Sequence, residues 1–229
     1  MKSRTFTCIA AMTLFAVLVI PARVAAQDSQ DRHGDARYSL KVLGTLGGTF
    51  GEAHGLNNPG SVPGQSLLPN GALHAFLWRD GVMTDLGTLG GPDSFVNVAN
   101  HTVNERNVVV GYSEISEQDP NAENFCNPNF TNGLVCLAFA WEKGVMTALP
   151  TLGGTNATAA GINNRGQIVG VAETPNSDPC SFAFLQVEAA VWQNGKVEAL
   201  PPVSWRFGRK RVGSQRCWPG SRCNRLRNK

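Results

Sequence analysis

From Leu43 onward, short runs of alternating apolar and polar residues recur, each closed by a turn rich in Gly, Asn or Asp. Ala159-Ala160-Gly161-Ile162 leads into Asn163-Asn164-Arg165-Gly166, and Gln167-Ile168-Val169-Gly170-Val171 returns as a second strand. Ala75 to Trp78 predicts a third strand, which Arg79-Asp80-Gly81 turns into a fourth, Val82 to Leu86. One unit earlier, Asn107 takes the place of the turn glycine, and Asn is the usual substitute in the left-handed conformation. After Ala26 no stretch carries the apolar i, i+3, i+4, i+7 spacing over a helical length. The pattern predicts an all-β protein.

Three phrases repeat in order. Leu43-Gly44-Thr45-Leu46-Gly47-Gly48 returns as Leu86 to Gly91 and as Leu149 to Gly154. Ala75-Phe76-Leu77-Trp78 returns as Ala138 to Trp141, and Ala190-Val191-Trp192 is the third copy. Asn-x-x-Gly-x-Val-x-Gly spans Asn57 to Gly64, Asn104 to Gly111 and Asn163 to Gly170. The tryptophans lie 63 and 51 residues apart, so the unit is elastic. The extra length falls at one place, where Glu114 to Gly133 and Glu173 to Cys180 read as polar loops, so one rim varies while the framework stays fixed. Four strands per unit of about 43 residues match a β-propeller blade of ~40–50 residues. The expected architecture is β-propeller-like: about three four-stranded blades and the start of a fourth, an incomplete propeller. Trp78, Trp141 and Trp192 are expected as structural core anchors, one per blade, against the rival reading of a sugar-stacking ladder.

The phrases LGTLGG, HAFLW (His74 to Trp78), GVMTDLGTLGG and GINNRGQIVG (Gly161 to Gly170) closely resemble the bacterial extracellular HAF-repeat family. The resemblance runs from Leu43 to about Gly208. It implies an exported, propeller-like protein and supplies no catalytic residues. Only the first unit has His74-Ala75-Phe76. The later ones read Leu137-Ala138-Phe139 and Ala189-Ala190-Val191, so histidine is not essential to the repeat.

Residues 1–26 read as an export signal: Lys2 and Arg4, an apolar run from Phe6 to Ile20, then Pro21 and Val24-Ala25-Ala26 before the cleavage point. The run is shorter than a membrane span of ~20 residues, which leaves the protein secreted, extracellular or at the cell surface. Residues 27–42 form a lead-in, 43–204 the repeats, and 205–229 a tail. Export favours disulfides. Cys126 and Cys136 flank a run of turn formers and are the disulfide candidate, while the pairing of Cys180, Cys217 and Cys223 stays open.

The formal net charge of +3 conceals an asymmetry, because the tail holds nine basic residues and no acid. Between Gln27 and Ser204, eight basic residues face seventeen acidic ones, a balance that disfavours nucleic acid as a partner of the repeat body. Leu200-Pro201-Pro202-Val203 opens a fourth unit, after which the pattern stops at Arg209-Lys210-Arg211. A frameshift or early gene end is the expectation, with a cationic surface-binding tail as its rival. Open blade edges leave self-association as a further expectation.

No constellation points to catalysis. His33, His54, His74 and His101 share no metal-ligand spacing, and Asp85, Asp93 and Asp119 form no calcium loop. No nucleophile elbow is present, and LGTLGG opens no helix that would cradle a phosphate. Asn100, Asn129 and Asn156 begin glycosylation sequons of the kind that Asn-rich turns produce by chance. No cofactor is implied. The sequence therefore suggests a non-enzymatic scaffold that binds a surface glycan or protein through its loops, or alternatively an exported enzyme acting on polysaccharide.

Overall fold

Asp80-Gly81, Lys143-Gly144 and Asn194-Gly195 all have positive φ at both positions, the backbone that a two-residue hairpin turn needs to match strand twist. Each closes the third and fourth strands of a unit. In this computed structural model, which describes residues 39–98, 101–126, 132–178 and 184–200, the chain divides into Met1–Lys41 and Val42–Lys229. Among the described residues, all the strands lie in the second part.

Twelve strands form three four-stranded antiparallel sheets. The first sheet holds β1 (Gly51–Ala53), β2 (Val62–Leu67), β3 (Leu73–Arg79) and β4 (Val82–Asp85). The second holds β5 (Ser94–Phe95), β6 (Val109–Gln118), β7 (Leu134–Glu142) and β8 (Val145–Ala148). The third holds β9 (Ala157–Ile162), β10 (Ile168–Ser177), β11 (Leu185–Gln193) and β12 (Lys196–Ala199). Within each sheet, strands adjacent in sequence are adjacent in space. No helix occurs among the described residues.

The repeated phrases occupy matching positions. Trp78 pairs with Val62, Trp141 with Val109 and Trp192 with Ile168. All three tryptophans are buried. Trp141 packs with Ala75 and Leu77 of the first sheet, and Trp192 with Val108 and Val110 of the second. The Trp192 indole N–H donates to the Pro150 carbonyl at 2.7 Å. Each of these two rings therefore fills the seam with the preceding sheet, where one large side chain excludes the most water.

Glycines mark where backbones approach. A Cβ on Gly64, Gly111 or Gly170 would lie 2.0–2.1 Å from the first-strand carbonyl of Glu52, Phe95 or Thr158, so the Val-x-Gly phrase admits no side chain. The last glycine of each LGTLGG-type phrase is equally confined, since a Cβ on Gly48, Gly91 or Gly154 would meet Leu67, Glu114 or Glu173 at 2.5–2.6 Å. Thr45, Thr88 and Thr151 each donate a hydroxyl to that glycine's carbonyl at 2.7–2.8 Å. The phrase is thus a self-bonded bend entering each sheet. Asn107 has φ 63°, the left-handed value expected of a residue standing in for glycine.

Two expectations are corrected. The register sets Gly170 opposite Ala190, as Gly64 is opposite Phe76 and Gly111 opposite Phe139. The third-unit counterpart of His74-Ala75-Phe76 is therefore Glu188-Ala189-Ala190, one residue earlier than the sequence match placed it. The insertions are also not loops throughout, because β6 and β10 run for ten residues and carry Glu114 and Glu173 inside the sheets, 1 % and 0 % exposed.

Candidate functional site

Chain direction puts the β1–β2 and β3–β4 turns and their counterparts in the other two sheets at one rim, and the LGTLGG-type bends, the Leu68–Ala72 turn and both insertions at the other. On the variable rim, the insertion after β6 is held by the disulfide between Cys126 and Cys136, which packs with Leu73 and Phe95. Cys180 lies outside the described residues, as do residues 1–26, where an export signal is expected, Cys217, Cys223 and residues 205–229.

Beside this loop, side chains of the second and third sheets converge on Asn156, which is fully buried. Its Oδ1 accepts from the Cys136 backbone N–H at 2.8 Å. Its Nδ2 lies 2.8 Å from Asp119 Oδ2, 3.0 Å from Glu173 Oε2 and 3.1 Å from Glu123 Oε2. An amide nitrogen has two protons, so three carboxyl oxygens cannot all be served by it. Glu173 Oε2 also accepts from the Asn156 backbone N–H and the Thr155 hydroxyl. Glu123 is left to hold a proton. Burial, then a hydrogen bond with Glu173, then the charges of Glu173 and Asp119 push its pKa up to about 7, while the Phe184 N–H it accepts from opposes them. The insertions of two sheets are thereby joined through one carboxyl group.

The equivalent place one sheet earlier is simpler. Asp93, which matches Asn156, accepts from the Leu73 N–H at 2.6 Å. Glu114, which matches Glu173, accepts from Asn132, and its pKa is raised chiefly by burial. Sequence reasoning missed both glutamates, because each stands at the start of a polar stretch that reads as loop. The Gly-x-x-Glu spacing of Gly111 to Glu114 and Gly170 to Glu173 was the available signal, and the first unit, with Leu67 there, hides it.

The other sequence candidates remain apart. His74 Nδ1 lies 2.9 Å from both oxygens of Asp85 across β3 and β4. His54 is buried, with Nδ1 2.7 Å from the Val96 carbonyl and Nε2 3.0 Å from Glu52. Both pairs sit within one unit, and His33 lies outside the described residues. Among the described residues no group of three or more His, Cys, Asp or Glu is placed to hold a metal ion, and no helix is long and apolar enough to cross a membrane. Buried Asn156 offers no acceptor for glycosylation in the folded chain; Asn100 and Asn129 lie outside the described residues. The chain matches no protein-family model, no curated protein and no solved structure.

Proposed function

We propose that this chain is a secreted, non-enzymatic scaffold of the extracellular HAF-repeat kind, a propeller-like stack of blades that contacts a surface glycan or protein through its variable loops. One observation carries this reading. Both insertions stand on the same rim and are fastened to each other through Glu123, Asn156 and Phe184, while the framework beneath repeats strand for strand. Variable loops on a rigid frame are a common arrangement for recognition. None of the cavities described for the chain is lined by the carboxyl groups of Asp119, Glu123 or Glu173, and Glu173 Oε1 is buried without a hydrogen-bond partner.

The test is a glycan array probed with the purified chain beside an assay for released reducing sugar. Retained binding without release supports the scaffold; release without retained binding overturns it.

A second reading is an exported enzyme acting on polysaccharide, favoured by the pairing of Glu123 with Glu173. A carboxyl group whose pKa is raised to about 7, set beside a second carboxyl group, is the kind of pairing that two-carboxylate glycoside chemistry needs. Under that reading Glu123→Gln lowers sugar release by ~10²–10⁴-fold, the usual contribution of a general acid.

A further inference from the structure

Between Val42 and Leu200 there are five lysines and arginines against fourteen acidic residues. All five cations, Arg79, Arg106, Lys143, Arg165 and Lys196, stand in or beside the short hairpin turns, on the rim opposite the insertions. Three of them, Arg79, Arg106 and Lys143, line one cavity of about 560 Å³ where the first and second sheets meet. Its apolar lining is Leu77, Val82 and Trp141. Asp80 is its one acidic residue, 3.4 Å from Arg79 Nε. Lys143 reaches Glu142 only at 3.9 Å, and no ion pair engages Arg106 among the described residues.

Asp80, Glu105 and Glu142 stand in the same turns as these cations, but only Asp80 lines the groove, and the carboxylates of the insertions do not cancel it. Strands of seven to ten residues separate the rims by roughly 20–30 Å at ~3.3 Å per residue, and charge is screened over ~8 Å at physiological ionic strength. We propose that the groove between the first two sheets binds an acidic saccharide, its carboxylates on Arg79, Arg106 and Lys143 and its apolar sugar face on Val82. Guanidinium groups pair carboxylates in two-point fashion, and Val82, 65 % exposed, offers apolar surface at the entrance. Single-stranded nucleic acid fits less well, because it needs open ring faces for its bases and Trp141 is 8 % exposed. The site lies away from the variable rim and stands independently of the reading above.

The basic tail could bind polyanions by itself, so the test must resolve residues. The full chain is titrated with tetragalacturonate at physiological salt, and lysine acetylation is followed by mass spectrometry. The expected result is protection of Lys143 with Lys196 unprotected, and at least about tenfold weaker binding when Arg79, Arg106 and Lys143 are all changed to Gln, three charge-assisted contacts being lost. The neutral tetrasaccharide should not bind. Protection of tail Lys210 alone, equal protection of Lys143 and Lys196, unchanged affinity in the triple variant, equal binding of the neutral sugar or of an oligothymidylate, or no binding at all would each overturn the proposal.

Discussion

The side-chain amide of Asn57 donates to the main-chain carbonyl of Asn104 at 2.9 Å, joining the first hairpin turn of one sheet to that of the next. Asn57 also accepts from the Ser61 N–H at 2.8 Å and donates to Asn107 Oδ1 at 3.0 Å. Asn104 repeats both actions, accepting from Val108 N–H and donating to the Asn163 carbonyl. The first asparagine of the repeated phrase therefore closes its own turn and ties it to its neighbour.

Asn57→Asp separates those two roles, since an Asp oxygen can still accept from Ser61 but the N–H aimed at Asn104 is gone. Leaving buried acceptors facing one another costs ~1–3 kcal/mol. Urea unfolding measures this directly, and a loss under ~0.5 kcal/mol, the level of an ordinary surface change, would show that the tie contributes little.

Trp141→Ala opens the seam between the first two sheets and should cost ~3–5 kcal/mol, the range for truncating a core tryptophan. If the ring only covered surface, the loss would stay below ~1 kcal/mol.

Reducing the Cys126–Cys136 bridge releases a loop with a sequence separation of 10. Chain-entropy arguments give ~3 kcal/mol for a loop of this size. The Cys126→Ala, Cys136→Ala double variant should lose that amount in urea and gain proteolytic cuts within the insertion first. Unchanged cutting there would mean that the other contacts hold the loop unaided.

Stability should fall as pH rises between roughly 4.5 and 7. Glu123 has its folded pKa raised from 4.5 to about 7, so in that window the folded state binds the proton more tightly than the unfolded one. The penalty is absent below pH 4.5 and complete above pH 7. The group is half-exposed, so screening limits the effect to about 1 kcal/mol. Glu123→Gln should flatten this part of the profile and raise stability at pH 8, as thermal unfolding at pH 5 and 8 would record. An unchanged slope in the variant would assign the pH response elsewhere.

Much of the framework was legible because backbone necessity writes it into the sequence. Glycines stand where a Cβ has no room, asparagines where turns need a left-handed residue and an amide, and tryptophans where two sheets meet. The third-unit offset arose because Ala189-Ala190-Val191 offers no aromatic residue to anchor a match, whereas the pairing of Gly170 with Ala190 does. Glu114 and Glu173 escaped because local polarity argues for loop and only tertiary partners make their burial tolerable. The basic groove was concealed by arithmetic: a net charge sums over both rims, and strand direction, not composition, sorts the cations onto one. Ala75 and Ala138 are fully buried while their counterpart Ala189 is exposed, because each of the first two is covered by a following sheet.

The central claim is that equivalent sheets stack so that one indole from each of the second and third sheets fills the seam with the sheet before it. Nuclear Overhauser contacts from the indole rings of the methyl-labelled chain measure this most directly. The account predicts contacts from Trp141 to the Leu77 methyls and from Trp192 to those of Val108 and Val110. Rings that contact only residues of their own sheet, or solvent, would contradict it.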